Sequence, residues 1–241
     1  MPQFQFGTTT IEYSLNVNDE KKDVSIAVEW LEGVRVTAPT NLDTKQLETI
    51  LHKKAPWIIE KIDGFNQIET FASEKEFLSG EKLPYLGRNY RLKVTREVDA
   101  SPALTFHQGK FYLTVAADTQ PCERIATAKE LFQKWYISHG QQKIQQRLAL
   151  YSPKLNLYPK KIEVRNQNTR WGSCTPGGNI NINWRIMMAP MNIVDYLVVH
   201  ELAHLKHPNH STEYWRLVES VLPDYKDRKE WLRINGPSLT I

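Results

Sequence analysis

Between residues 10 and 37 apolar and polar residues alternate: Ile11, Tyr13, Leu15 and Val17, then Val24, Ile26, Val28 and Trp30, then Val34 and Val36. A period of two predicts half-buried strands, with Asn18-Asp19-Glu20 as the first turn. After Pro39 the spacing of Leu47, Ile50, Leu51, Ile58 and Ile62 becomes helical, with Pro56 expected to break that helix or to start a second one. Alternation returns at Tyr90, Leu92 and Val94, at Leu104 and Phe106, and at Phe111, Leu113 and Val115; the last two runs are joined through Gln108-Gly109-Lys110. A polar break at Asp118–Pro121 precedes a long helical stretch from Glu123 to Tyr151, with Ile125, Ala128, Phe132 and Trp135 on one stripe.

Beyond this helix the pattern predicts two strands. One is Lys161 to Arg165. The other is Asn179 to Trp184, with three asparagines on one face and Ile180, Ile182 and Trp184 on the other. A helix is then expected from about Asn192, its N-cap, through Leu205, ended by Pro208. Two more follow, near Thr212 to Leu222 and Asp224 to Ile234, parted by Pro223. No internal repeat is visible. These elements predict an α+β protein in two parts: a β-rich module with a helical insert over 1–118 and a second domain over 119–241.

Composition narrows the class only a little. At 241 residues, 41% of them hydrophobic and 24% charged, the chain is long enough to bury a core without help from a metal. Its net charge of +4 is too small to predict nucleic acid as a partner. Cys122 and Cys174 form no CxxC pair, and the opening segment lacks the basic start and apolar run of a signal peptide. No apolar run approaches the ~20 residues of a membrane span. The expectation is a cytoplasmic protein with no membrane contact.

Candidate chemistry is concentrated in Val199–His210, which holds four of the seven histidines. His200 and His204 are four residues apart, so a helix projects both to one face, where they can hold one divalent ion with Glu201 beside its open position. This HExxH spacing suits hydrolysis, in which the metal lowers the pKa of a water toward about 7 and the carboxylate takes and returns the proton. Coincidence would produce the spacing in roughly one of 80 chains of this composition. The surrounding residues, Ile193, Val194, Leu197, Val198, Val199, Leu202, Ala203 and Leu205, describe a core helix, where imidazoles and a carboxylate are costly to bury without a partner.

A third ligand has three candidates: His207, His210 and Glu213. His207 shares the helical face but lies roughly 10 Å along the axis from His200. Glu213 belongs to the first turn of the next helix, which Ser211 or Thr212 can cap. His210, beyond Pro208-Asn209, can approach from a new direction and is the choice. Upstream, Asn166–Cys174 is polar and turn-rich; Arg170 is a candidate for binding a substrate carboxylate or phosphate, or equally for a structural ion pair beside a buried Trp171. Cys174 reads as a small buried filler rather than a nucleophile.

Together Arg170-Trp171-Gly172-Ser173-Cys174, Asn179–Arg185, Ala189-Pro190, His200–Ser211, Tyr214-Trp215 and Leu222–Tyr225 resemble the YgjP-like metallopeptidase family, which is related to SprT-like minimal zincins. The resemblance is dense from about 160 to 232. It implies a zincin-like catalytic domain with a backing helix, a small antiparallel sheet whose edge strand could align a peptide, and the HExxH helix beneath it. It also implies one Zn2+ per chain on His200, His204 and His210, with Glu201 as general base. The expected function is a zinc-dependent peptidase acting on polypeptides. The alternative is a metal-dependent nucleoside triphosphate pyrophosphatase, for example UTP to UMP and pyrophosphate, with Arg165, Arg170 or Arg185 holding phosphates. The intact Glu201 argues against a third reading, a purely structural metal site.

Overall fold

In a computed structural model the described residues are 2–241 except 20, 22, 30–32, 72–74, 168 and 169; of residues 64–71 only the backbone is described. Glu20 of the expected first turn, Trp30 of the second alternating run, and Asn168 and Thr169 of the polar loop therefore lie outside the described residues. Eleven strands and five α-helices are described, making a mixed α+β protein with three small sheets.

The first sheet is built from β1 (Gln3–Phe6), β2 (Thr9–Val17), β3 (Ser25–Glu29) and β4 (Gly33–Ala38), in the order β1-β2-β4-β3. Its alternation is real: Ile11, Tyr13, Val34, Val36 and Ala38 are buried, and they share a core with Leu47, Leu51, Ala55 and Ile58 of α1 (Thr44–Phe71). Pro56 lies inside α1, correcting the expected break. A proline removes one intrahelical hydrogen bond, and the buried positions on either side, Leu51, Ala55 and Ile58, hold the helix in one piece.

A second sheet comprises β5 (Lys82–Tyr85), β6 (Arg88–Glu97), β7 (Ala103–His107) and β8 (Lys110–Ala116), in the order β5-β6-β8-β7, and is followed by α2 (Pro121–Leu155). It repeats the first. In both sheets two antiparallel hairpins join through a parallel central pair, Tyr13–Val17 with Val34–Ala38 and Arg91–Glu97 with Lys110–Ala116. The expectation of no internal repeat is thus corrected at the level of topology. The turn after β2 does not fold it back onto β3, because β4 lies between them. The β7–β8 turn is as expected: Gln108 and Gly109 both have positive φ, 49° and 70°, as a two-residue hairpin loop needs.

The second sheet does not share the core of the first. Leu83, Leu92, Phe111, Leu113 and Val115 pack with Phe132, Trp135 and Tyr136 of α2, and through them with the rest of the chain to Leu239. The change of core falls between Ile62 and Phe77, whereas the composition break lies at 118.

The remaining elements are β9 (Lys161–Arg165), β10 (Gly172–Cys174), β11 (Asn179–Asn183), a 3-10 turn at Trp184–Met188, α3 (Met191–Ala203), α4 (Thr212–Val221) and α5 (Tyr225–Asn235). The third sheet has the order β10-β11-β9 and is mixed, since β11 runs parallel to β9 and antiparallel to β10. That corrects the expected antiparallel sheet. Gly172–Cys174, read from sequence as turn, forms its edge strand.

All residues from Ile193 to Ala203 are buried, as the apolar surround of the HExxH segment predicts. The helix starts at Met191 with Pro190 as N-cap, not Asn192, and gives way to turn after Ala203. Its one buried acid apart from Glu201, Asp195, receives a bidentate pair from Arg147 of α2, with Nη2 to Oδ2 at 2.9 Å. Removing Arg147 would strand the buried Asp195 carboxylate at a cost of about 3–5 kcal/mol.

Candidate metal centre

α3 ends where the chemistry begins. His200 and Glu201 occupy its last turn, and His204 is its C-cap, still at helical angles (φ −65°, ψ −19°), so the i, i+4 pair keeps its common face. The chain then turns through Pro208-Asn209, and Ser211 caps α4 by accepting from the Tyr214 N–H. The reversal returns His210 to the pair. Ligand atoms of His200, His204 and His210 all lie within 4.8 Å of one another, and the Nε2 atoms of His200 and His210 are 3.4 Å apart. Two nitrogens at 2.0–2.1 Å from a tetrahedral zinc are separated by roughly 3.4 Å, so the spacing fits that ion.

The rings are fixed from behind. His204 Nδ1–H donates to the His207 carbonyl at 3.2 Å, which leaves Nε2 free to ligate. His207 takes part through its backbone and is not in the cluster, as expected. Trp215 stacks on His210 (5.4 Å, 24°) and is itself stacked by Tyr225 (5.1 Å, 14°). The Tyr214 hydroxyl donates to the His200 carbonyl at 3.0 Å, and its ring packs against all three imidazoles. These aromatic supports were missed from composition alone; the Tyr214-Trp215 pair directly after the histidines was their signal.

Burial and crowding set the protonation state. Desolvation, then the charges of His204, His210 and Lys229, hold His200 well below the usual histidine value. Desolvation lowers His204. The His210 pKa is pushed down to about 2 by desolvation, then His204, Arg35 and Lys229. All three imidazoles are therefore neutral near pH 7, the form that binds metal. Glu201 is 3% exposed. Gly172 of β10 makes room for it: a Cβ there would lie 2.7 Å from Glu201 Cδ. Gly172 is a site residue for steric reasons that spacing could not reveal. Burial, then the charge of Glu201, pushes the half-buried Cys174 thiol up to about 12, which leaves it no nucleophile at neutral pH.

The centre opens on a cleft of about 610 Å³. One wall is α3, the His210 loop and β10; the other is the first sheet, represented by Ser14, Asn16, Arg35 and Thr37. Arg170 stands where the walls meet and pairs with Glu12 of β2, Nη2 to Oε2 at 3.3 Å. Its backbone is held by Asn183, whose Nδ2 donates to the Arg170 carbonyl at 3.1 Å. Of the three arginines considered for phosphate, only Arg170 lines the cleft. Arg165 is paired with Glu163, and Arg185 lies over the Trp184 ring and donates to Asn166.

Three neutral imidazoles converging on a cleft beside a buried carboxylate have the donor set and protonation state of a metal-dependent hydrolase. The family comparison agrees: a YgjP-like metallopeptidase domain matches residues 22–235, and the chain belongs to that family. A solved structure, the metallopeptidase zymogen of Pyrococcus abyssi abylysin, is similar over 40% of this chain and 96% of its own, with 23% identity and a TM-score of 0.36. Curated protein sequences give no match. Among the described residues no helix is long and apolar enough to cross a membrane.

Proposed function

We propose that the protein is a zinc-dependent, zincin-type peptidase that holds one ion on His200, His204 and His210 and uses Glu201 as general base. The observation that carries this is the convergence of three imidazoles, with Nε2 of His200 and His210 3.4 Å apart, beside a buried carboxylate on the same cleft. Zinc held by these three residues would supply a water of lowered pKa and polarise the substrate carbonyl.

The chain's own residues do the rest. Glu201 takes the water proton and passes it to the leaving amine. Gly172 gives that carboxylate its space, and β10, at the edge of its sheet, is the strand along which an extended peptide pairs. Arg170, oriented by Glu12 and Asn183, is the residue assigned to binding substrate. α2 is the backing helix of this arrangement, joined to α3 by Arg147 and Asp195.

The test is Glu201→Gln, assayed with wild type for bound metal and for hydrolysis of denatured protein, peptide libraries and nucleoside triphosphates. The variant is expected to keep its metal and to lose roughly 10²- to 10⁴-fold in peptide hydrolysis. Equal activity in the two proteins would remove Glu201 from the role of base.

A further inference from the structure

The two four-stranded sheets share a topology but not a charge. Aligning their strand pairs places Gln3, Glu12, Gly33 and Glu29 of the first where Lys82, Arg91, Lys110 and His107 stand in the second. Lys82 and Arg91, Arg91 and Lys110, and Lys110 and His107 are register partners, so these four form one row across β5, β6, β8 and β7. With strands ~4.8 Å apart the row spans roughly 14 Å. The pleat turns Leu83, Leu92 and Phe111 to the core and the row to the outer face, where all four side chains are exposed. Among the described residues Lys82, Arg91 and Lys110, and Lys93 one outward position along β6, have no carboxylate partner. The acid of this face, Glu97, lies at the far end of β6, about 20 Å from Arg91. Two rings lie parallel beside the row: His107 stacks on Tyr112 at 4.0 Å and 1°, and Lys93 Nζ is 5.9 Å from the Tyr112 centroid. His107 is exposed, Tyr112 is half-buried, and the outward neighbours Thr105 and Thr114 are short.

We propose that the outer face of the second sheet binds single-stranded nucleic acid, a function separate from hydrolysis at the metal centre. The row of cations gives phosphates a track that needs no particular sequence. A base laid on the exposed His107 ring continues the stack that His107 and Tyr112 have begun. An acidic polypeptide would use the cations and leave the rings idle. An anionic membrane takes up apolar side chains, and the row offers none. A duplex keeps its bases stacked on one another, so the rings favour a single strand. The net charge of +4 hides this face, because it averages over a first sheet that carries Glu12 and Glu29 at the matching places.

The experiment titrates a fluorescent oligodeoxythymidylate of about 15 nucleotides with the full-length, zinc-loaded protein and follows anisotropy between about 50 and 200 mM salt. Wild type is expected to bind in the micromolar range at the lower salt. Its log K should fall against log[salt] with a slope of about −2 to −3, since each of up to four cations contributes about −0.7. Arg91→Gln combined with Lys110→Gln should weaken binding about tenfold or more and flatten the slope by about 1.4. His107→Ala should weaken binding about fivefold or more and leave the slope unchanged, which separates stacking from charge. Lys134→Gln combined with Arg233→Gln removes two exposed cations elsewhere and should bind as wild type does. Metal content and circular dichroism of each variant report whether the fold is intact. Should the variants not fold, wild type alone decides: the single strand must outcompete a duplex of equal length, polyglutamate and phosphatidylserine vesicles. No binding by wild type, a competitor that binds as well as the single strand, or the same loss in the Lys134 and Arg233 control overturns the proposal. So does unchanged binding when Arg91 and Lys110 are replaced. None of these outcomes bears on the peptidase reading.

Discussion

The chain builds one topology twice and uses the copies differently. In the second copy, β5 to β8 with α2, the sheet packs into the same core as α3, the helix that carries His200 and Glu201. Its first hairpin turn docks on the segment that leads into α3: Leu86 N–H donates to the Met187 carbonyl at 2.7 Å, and a Cβ on Gly87 would lie 2.8 Å from Pro190 Cα. In the first copy, β1 to β4 with α1, the equivalent turn at Gly7 has nothing within 4 Å of such a Cβ, and the core is its own. The free face of that sheet, with Arg35, bounds the cleft instead. One copy holds the site in place and the other stands opposite it, so identical strand order says nothing about role; the partner of each outer face decides it.

Acid should separate the copies most strongly. With metal removed by chelator, the folded second core keeps three imidazoles neutral, while the unfolded chain protonates them below about pH 6.5. Their folded pKa values are lowered, so this stability is present above pH 6.5 and is lost as pH falls, at up to about 1.4 kcal/mol per pH unit for each imidazole. Calorimetry from pH 7 to pH 5 should show the second core weakening ahead of the first. A pH-independent transition would mean that the imidazoles are not buried.

Next come the cores themselves. Leu51→Ala and Leu197→Ala each empty a fully buried position and should each cost about 2–5 kcal/mol. Only Leu197→Ala should also lower metal occupancy, because Leu197 lies in α3. Loss of metal in Leu51→Ala would show that the two cores act as one. A smaller contrast is Gly87→Ala against Gly7→Ala. Both have positive φ, 76° and 60°, and share that strain, but Gly87 adds the clash with Pro190 and should lower the melting temperature several degrees further. Smallest is Glu12→Gln: Glu12 is 57% exposed, so losing its pair with Arg170 should change stability by at most about 1 kcal/mol. A larger loss in chemical denaturation would make that pair the main tie between the first copy and the segment that leads into β10.

What the sequence made legible follows from how local each cause is. The i, i+4 histidines, the return of His210 after Pro208-Asn209 and the Ser211 cap are set by neighbouring residues, and the folded chain brings those three histidines together. Alternation likewise marked Ile11, Tyr13, Val34 and Val36 as a buried face. Strand pairing is not local: nothing in the period of β2 says that it lies parallel to β4, so the duplicated topology was invisible. Gly172–Cys174 is too short to display a period, and its role depends on Glu201 arriving from 29 positions along the chain. The alternation that buries Val34 and Val36 also turns Arg35 to the other face of the sheet, but which surface that face meets is set by residues far along the chain.

The most direct measurement is metal content per chain in wild type, His207→Ala and His210→Ala, purified alike and loaded with zinc. Wild type and His207→Ala are expected to hold one ion per chain, since His207 serves through its backbone carbonyl, while His210→Ala falls far below one. An ion retained in His210→Ala and lost in His207→Ala would contradict the three-histidine centre.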